Sequence, residues 1–305
     1  LRRILLAGAG HAHIAVLRRF AKSRPGAAVV LINDGPFAWY TGALPALIRR
    51  DIAPPQARLD LRALAAACGA TFVDARYAGF EDSRALFEDH DPIGFDVLSV
   101  STGVEKFPGG VKPIPAFLRR LRILEQKAAP DIGILGAGAA GVEIALSLRS
   151  RIPAARIFLQ GAKILPHAPR GAQDIGRLAL RAAGIVTAPL PDRLDDLIRA
   201  YTPAPTLTIR PTLQLADHET IFAAGDCAKF SSPLPASGAI AVRQGALLAH
   251  NLTQARLKMF RPPAATLAII SLDRGRALAW HGRFFWAGRL PMRLKTWLDE
   301  QWLAG

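Results

Sequence analysis

The sequence predicts an α/β fold made of two strand–turn–helix–strand units on parallel sheets, the second inserted in the first. Three observations carry this. A glycine-rich turn separates an apolar strand from an amphipathic helix at Gly8, and the same arrangement returns at Gly136. The chain, at 305 residues, is long enough for a core in each of two domains, taking roughly 150 residues per domain.

In the first unit, Ile4-Leu5-Leu6-Ala7 is an unbroken apolar run of strand length. Gly8-Ala9-Gly10 follows, then Ile14 to Phe20 with the spacing of an amphipathic helix, then a second strand from Ala28 to Ile32, closed by Asn33 and Asp34. This is the order of a Rossmann-like dinucleotide-binding unit. Gly8 permits the tight turn, Gly10 lets backbone approach a pyrophosphate, and the helix N-terminus offers it unpaired N–H groups. Asn33 or Asp34 falls where a side chain would hold the adenosine ribose. The third glycine of the fingerprint is replaced by His13. Close helix–strand packing must therefore accept an imidazole, or the helix must shift. His11 and His13 lack a third metal ligand. They are expected to flank the pyrophosphate or flavin, or to cap the turn, in neutral form.

In the second unit, Asp131 to Leu135 is a strand, Gly136-Ala137-Gly138-Ala139-Ala140-Gly141 is an intact G-x-G-x-x-G, Val142 to Leu148 continues as a helix, and Ala155 to Leu159 is the next strand. Two such units are far more specific than one. Together they predict an FAD/NAD(P)-binding fold, because electron transfer from a nicotinamide to a flavin needs two dinucleotides. Gln160 ends the second strand of this unit, where an acid favours NAD and a nearby Arg or Lys favours NADP. Gln160 does neither and Lys163 is close, so the sequence leaves the choice open.

Composition excludes other classes. Half the residues are hydrophobic and 21% are charged, which rules out a disordered chain. No apolar run reaches the roughly 18 residues that span a bilayer. The net charge of +15 comes mostly from Arg spread along the chain. It reads as solvated surface charge, or as attraction to an anionic membrane surface, nucleic acid or phosphate-rich cofactors. No basic block with interleaved aromatics occurs, so nucleic acid is not expected as a partner. The two cysteines, Cys68 and Cys227, are far apart and exclude a disulfide scaffold, a cysteine zinc site and a C-x-x-C pair. They fit a reducing compartment, and the cytoplasm is expected. Leu1-Arg2-Arg3 does not open a signal peptide, because Gly8, Gly10 and Arg18-Arg19 interrupt any apolar region. A start at Leu implies that the true start is missing.

Further motifs stand at Tyr40-Thr41-Gly42-Ala43-Leu44-Pro45, Leu59-Asp60-Leu61-Arg62, Ser101-Thr102-Gly103, Ile221 to Ala228 and Ala241-Val242-Arg243-Gln244-Gly245. With them the chain resembles, over nearly its whole length, the two-dinucleotide-domain flavoproteins of the pyridine nucleotide-disulfide oxidoreductase superfamily, and within it the type II NADH dehydrogenase-like members. Gly8-Ala9-Gly10-His11-Ala12-His13 is similar to the variant sometimes fused to selenophosphate synthetase. The resemblance implies FAD and NAD(P)H as cofactors. It makes Gly8 to His13, with Ser101, Thr102 and Gly103 at the turn leaving the flavin domain, cofactor-binding. It places Gly225 and Asp226 at a strand end whose carboxylate accepts hydrogen bonds from ribityl hydroxyls. A helix from Ala241 to Leu252 would point its N-terminus at the flavin, so that Val242 to Gln244 tune its potential. Phe37, Trp39 and Tyr40, followed by Thr41, lie near the isoalloxazine or form plain core. Gly136, Gly138 and Gly141 hold the nicotinamide dinucleotide. Glu143 matches a carboxylate near the nicotinamide, or else is a surface helical Glu. Glu143 and Gln244 are the catalytic candidates.

Departures from the superfamily are equally legible. No redox disulfide pair is present, and Cys68, on an apparent surface helix, and Cys227 do not supply the cysteines of a sulfide:quinone reductase. The stretch from Gly136 to Asp226 is short for a complete nicotinamide domain and lacks a second Ala-Thr-Gly-like motif. The expected division is 1–108 and 206–305 for the flavin domain and 109–205 for the shortened nicotinamide domain, crossing at Pro108-Gly109-Gly110 and Pro203-Ala204-Pro205.

Near the C-terminus, Trp280, Trp286, Trp297 and Trp302 gather with Phe284, Phe285, Arg283, Arg289, Arg293 and Lys295. Leu294, Trp297, Leu298 and Trp302 share one helical face. That composition suits a membrane interface, here the inner face, or a terminal helix packed on the flavin domain or on a second copy in a homodimer. The expected activity is an FAD-dependent oxidoreductase passing hydride from NAD(P)H to flavin and on to a small-molecule acceptor such as a quinone. The alternative is a flavin-binding redox or regulatory module linked to selenium metabolism, with little NAD(P)H turnover.

Overall fold

The computed structural model describes residues 1–104, 107–231, 234, 237–273 and 275–304. The chain divides into two compact units. Leu1–Ala38, Leu59–Glu105 and Thr202–Pro263 form one, and Trp39–Arg58, Lys106–Tyr201 and Ala264–Gly305 form the other. The stretches 39–58 and 264–305, expected in the flavin domain, pack with the second unit. The reason is apolar burial: Leu44, Leu47, Ile270, Leu278 and Trp280 share a core with Val142 and Ile144.

The first unit is built on five parallel strands in the order Ile221–Ala223, Val97–Val100, Arg3–Ala7, Ala28–Asn33 and Thr71–Asp74. Parallel strands covered on both faces bury every side chain. That is why Ile4, Leu5, Leu6 and Ala7 form an unbroken apolar run and are all fully buried. Ala7 stands opposite both Ile32 and Val100. The register thus gathers Gly8, Asn33 and Ser101 at the carboxyl ends of three adjacent strands, where open α/β sheets bind ligands. The helix His11–Lys22 buries Ile14, Val16, Leu17 and Phe20, and Arg19 and Lys22 close its last turn, where cations complement the helix dipole. The helix Gly238–Asn251 packs on it at Gly245, where a Cβ would collide with the Ala12 carbonyl and lie 2.8 Å from the Ala15 Cβ. In Leu59-Asp60-Leu61-Arg62, Asp60 caps the helix Leu61–Cys68 by accepting from the Arg62 and Ala63 N–H groups at 2.9 and 3.1 Å.

The second unit has a three-stranded parallel sheet, Arg156–Gln160, Asp131–Leu135 and Asp196–Arg199, with Leu135 opposite Gln160 and Arg199. Val186 bridges to Phe158 and prolongs the sheet's edge after the helix Arg170–Ala182. The helix Ala139–Arg151 follows the glycine turn and packs against Leu44–Arg49. An antiparallel sheet of Ala268–Ser271, Ala277–His281 and Phe284–Gly288 leads into the helix Arg289–Ala304. Among the described residues no helix is long and apolar enough to cross a membrane.

Candidate functional site

The first glycine turn is braced from three sides. Gly8 has φ +86° and donates its N–H to the Ile32 carbonyl at 2.8 Å. A Cβ on Gly8 would lie 2.7 Å from the Ser101 oxygen, and one on Gly10 2.6 Å from the same atom. Gly10 is therefore required by the approach of Ser101, whose carbonyl accepts the Gly10 N–H at 3.0 Å. This requirement stands beside the one expected from the motif, room for a pyrophosphate. Asn33 Oδ1 accepts the Ala9 N–H at 3.0 Å while its Nδ2 donates to the Gly35 carbonyl at 2.8 Å. Asp34 is exposed beside Arg76, at 3.9 Å. Thr102 is exposed and Gly103 has φ +75°.

His13 solves the packing problem raised by the missing third glycine. In the second unit, Gly141 presses on the Gly136 carbonyl so closely that no Cβ fits. At the equivalent place His13 bonds the Gly8 carbonyl through Nδ1 at 2.6 Å, and its Nε2 meets Ser99 Oγ at 2.8 Å. A carbonyl only accepts, so Nδ1 carries the proton and Nε2 accepts from the serine. Burial holds the imidazole neutral, its pKa lowered to about 4, against the opposing pull of the Gly8 carbonyl. Both ring nitrogens are engaged within the protein. Ala12 is buried under Gly245, and His11 lies against Gly238, where a Cβ would come within 3.3 Å of the ring.

At the far side of the same unit, Ala224 donates its N–H to Val100 at 3.0 Å, extending the sheet to Gly225, φ +83°. The Gly225 N–H donates to Gln244 Oε1 at 2.7 Å, and Gln244 is only 2% exposed. Gln244 thus fixes the Gly225-Asp226 turn. Asp226, Ala241, Gln244, Ser237 and Thr202 line a cleft of about 180 Å³. No side-chain cap at Ser237 is found among the described residues for the helix that starts there. Val242 is half-buried one position further on. Behind this turn burial pushes the Cys227 thiol up to about 11. Cys68, expected at the surface, is buried instead, and burial raises its pKa too. Neither sulfur is poised as a thiolate.

The second glycine turn has the geometry its motif requires. Gly136 has φ +112°, and its N–H donates to the Gln160 carbonyl at 2.8 Å. Gly138 starts the helix Ala139–Arg151 and faces open space: nothing lies within 4 Å of where its Cβ would be. A phosphate can reach this backbone, so the residues present fit a dinucleotide.

Five residues further, Glu143 accepts the Ser271 N–H at 2.6 Å. It is half-buried rather than a surface helical Glu. Burial raises its pKa, partly opposed by Lys295, the Ser271 hydrogen bonds and Arg49. Lys295 is 8% exposed and donates to the Gly42 carbonyl at 2.8 Å and to Asp299 at 2.9 Å. Asp299 accepts the Tyr40 hydroxyl at 2.7 Å. Burial, then the Asp299 and Glu143 charges, raise the Tyr40 pKa. Tyr40 packs on the second unit's core, and half-buried Thr41 starts the short turn Thr41–Ala43 beside it.

The structure therefore groups the predicted residues in two sets. The first unit holds Gly8 to His13, Asn33, Asp34, Ser101 to Gly103, Gly225, Asp226, Val242 and Gln244, and the second holds Tyr40, Thr41, Gly136, Gly138, Gly141 and Glu143. No sequence signal points to Asp299, and of the basic residues that suit either a membrane interface or a packed terminal helix, Lys295 is the one that packs inward. The expected apolar face also divides. Trp302 turns to the Tyr40 ring, centroids 6.1 Å apart, while Trp297 is 54% exposed. The inward stripe of this helix is Pro291, Lys295, Asp299 and Trp302. It is half polar, so apolar periodicity could not reveal it.

No protein-family model matches the chain, and no curated protein matches it in sequence. Solved structures match it closely in fold. The sulfide:quinone oxidoreductase of Aquifex aeolicus superposes with a TM-score of 0.79 at 12% identity, over 99% of this chain and 90% of that one. NDH2 of Plasmodium falciparum, in complex with NADH, gives 0.76 at 13%, over 98% and 97%. The water-forming NADH oxidase of Lactobacillus brevis, bound to NADH, gives 0.71 at 16%, over 92% and 75%. The chain thus has the Rossmann-like α/β fold of these oxidoreductases. Both the sulfide:quinone oxidoreductase and NDH2 share that fold with it over nearly its whole length.

Proposed function

We propose that the chain is an FAD-dependent oxidoreductase that takes hydride from NAD(P)H and passes it to a small-molecule acceptor such as a quinone. The observation that carries this reading is the presence, in one chain, of two glycine turns at the carboxyl ends of parallel strands. Bound FAD would supply the two-electron chemistry by accepting hydride and returning it to the acceptor.

In this reading the turn from Gly8 to His11, with Asn33, Asp34 and Ser101 to Gly103, would hold the FAD diphosphate and ribose, while buried Ala12 and His13 brace that turn from behind. Asp226 accepts hydrogen bonds from ribityl hydroxyls. Gln244 keeps the Gly225-Asp226 turn in place and turns its Nε2 donor to the cleft. The helix N-terminus at Ser237, with Val242 in its second turn, stabilises negative charge there. Gly136, Gly138 and Gly141 hold the nicotinamide dinucleotide. Glu143, its pKa raised by burial and its carboxylate held by the Ser271 N–H, is the carboxyl group of the second unit that would supply a proton to the acceptor. Lys295, Asp299 and Tyr40 hold that part of the second unit in register.

The exposed C-terminal surface gives the acceptor a source. Phe284 and Leu290 are 65% and 72% exposed, and Arg283, Arg289 and Arg293 flank them. Such a surface suits an anionic bilayer in which a quinone dissolves. Steady-state oxidation of NADH or NADPH with a soluble short-chain quinone tests the assignment. Turnover that follows bound FAD supports it, and no turnover by the FAD-loaded protein with either nucleotide overturns it.

A further inference from the structure

We infer that the second unit takes the 2′-phosphorylated coenzyme, NADPH, in preference to NADH. This deepens the reading above and rests on it for the placement of a dinucleotide at Gly136–Gly141. The ribose nearest the glycine turn of such a unit lies at the end of its second strand, and discrimination depends on the side chains there. A carboxylate selects the free 2′-hydroxyl by accepting its hydrogen bond and repels a 2′-phosphate. A cation does the reverse.

The strand in question is Arg156–Gln160, paired with Asp131–Leu135 so that Gln160 stands beside Leu135, one residue before the turn. The only side-chain acceptor at that position is already used: Gln160 Oε1 accepts the Leu190 N–H at 3.1 Å. What remains to Gln160 is an amide donor, which suits a phosphate oxygen. The next residues are tied to the turn at both ends. A Cβ on Gly161 would lie 2.8 Å from the Ala137 nitrogen, and Leu165 donates its N–H to the Ala137 carbonyl at 2.8 Å. Lys163 sits at the middle of this pinned loop, exposed and without an ion pair among the described residues. From Gln160 to Arg170 there is no Asp or Glu, and Lys163, His167 and Arg170 are all basic or protonatable. The loop therefore presents donors and positive charge where a 2′-phosphate would lie, and no group to hold a 2′-hydroxyl by acceptance.

The test uses two nucleotide halves that need no flavin. Binding of 2′,5′-ADP and of 5′-AMP to the FAD-loaded protein is measured by calorimetry. The 2′-phosphate is expected to tighten binding by about tenfold at low salt and by less at high salt. Lys163→Gln is expected to weaken 2′,5′-ADP by about fivefold, an exposed ion-pair effect, with 5′-AMP as the internal reference. Equal binding of the two nucleotides, or tighter binding of 5′-AMP, overturns the preference while leaving the dinucleotide site standing. Failure of both to bind overturns the dinucleotide site and this inference with it.

Discussion

The His13 imidazole bridges the Gly8 carbonyl, 2.6 Å from Nδ1, and the Ser99 hydroxyl, 2.8 Å from Nε2. It ties the first glycine turn to the neighbouring strand of the sheet, since Ser99 stands opposite Leu6. In the second unit the same gap is closed by bare contact of Gly141 with the Gly136 carbonyl. Two chemistries thus solve one packing problem, and the histidine solution carries a titratable group.

That group gives the first unit an acid sensitivity. Burial pushes the His13 imidazole down to about 4 in the folded protein, below its ordinary 6.5. Between these values the unfolded chain binds a proton that the folded chain does not. Stability is therefore full above pH 6.5 and falls as the pH drops toward 4, by about 3 kcal/mol in total. His13→Ala removes two buried hydrogen bonds and leaves a cavity, costing roughly 2–4 kcal/mol at neutral pH, but it flattens the acid slope. Urea denaturation of both proteins at pH 7.5, 6 and 5 checks this. An unchanged slope in the variant would contradict the assignment of the proton to His13.

Gln244 is expected to act on the flavin through Gly225. Gln244→Leu leaves the Gly225 N–H without its acceptor, which costs about 1–3 kcal/mol, and lets the Asp226 carboxylate drift from its ligand. Gln244→Glu keeps an acceptor in place. FAD retention on gel filtration should fall in the Leu variant and be preserved in the Glu variant. Equal retention in both would show that the bond at 2.7 Å does not position the turn.

Lys295 and Asp299 form a pair, its ammonium buried and its carboxylate half-buried, whose breaking should be asymmetric. Asp299→Ala leaves the ammonium with the Gly42 carbonyl alone, and removing one partner of a buried pair costs about 3–5 kcal/mol. Lys295→Met with Asp299→Leu replaces both by apolar groups and is expected to cost less than the single change. Thermal unfolding of the three variants makes the comparison. A double variant less stable than Asp299→Ala would remove the pair's desolvation as the governing cost.

The C-terminal surface predicts vesicle binding that depends on both charge and apolar exposure. Flotation with vesicles containing about a third phosphatidylglycerol should carry the protein. Arg289→Gln with Arg293→Gln should lower the bound fraction several-fold, at about 1 kcal/mol per basic residue. Binding unchanged by these substitutions would leave this surface without a lipid role.

Much of this architecture was legible before any coordinates. Ile4 to Ala7 and Ile132 to Ile134 are buried on both faces, so each leaves an apolar run beside its glycines. The ends of those strands set where Gly8 and Gly136 must turn. What stayed hidden depends on residues distant in the chain. Tyr40 and Asp299 meet across 259 positions, and no local pattern announces a pairing of that span. A lysine among tryptophans on a helix suits an interface as well as a packed face, and only the Gly42 carbonyl and the Asp299 carboxylate, distant in the chain, decide that Lys295 turns inward. The membership of 39–58 and 264–305 was missed for a related reason. Their apolar residues show that they pack, but not against which sheet.

The measurement that bears most directly on the central claim is an anaerobic titration of the purified, FAD-loaded protein with NADH and with NADPH, followed by the visible absorbance of the flavin. The account predicts a yellow protein that is bleached stoichiometrically by reduced nucleotide and recovers its colour when a soluble quinone is added. A Gly141→Ala variant, its Cβ forced onto the Gly136 carbonyl, should stay yellow under the same titration. A protein that refuses FAD on reconstitution, or one whose colour neither nucleotide changes, would contradict the account.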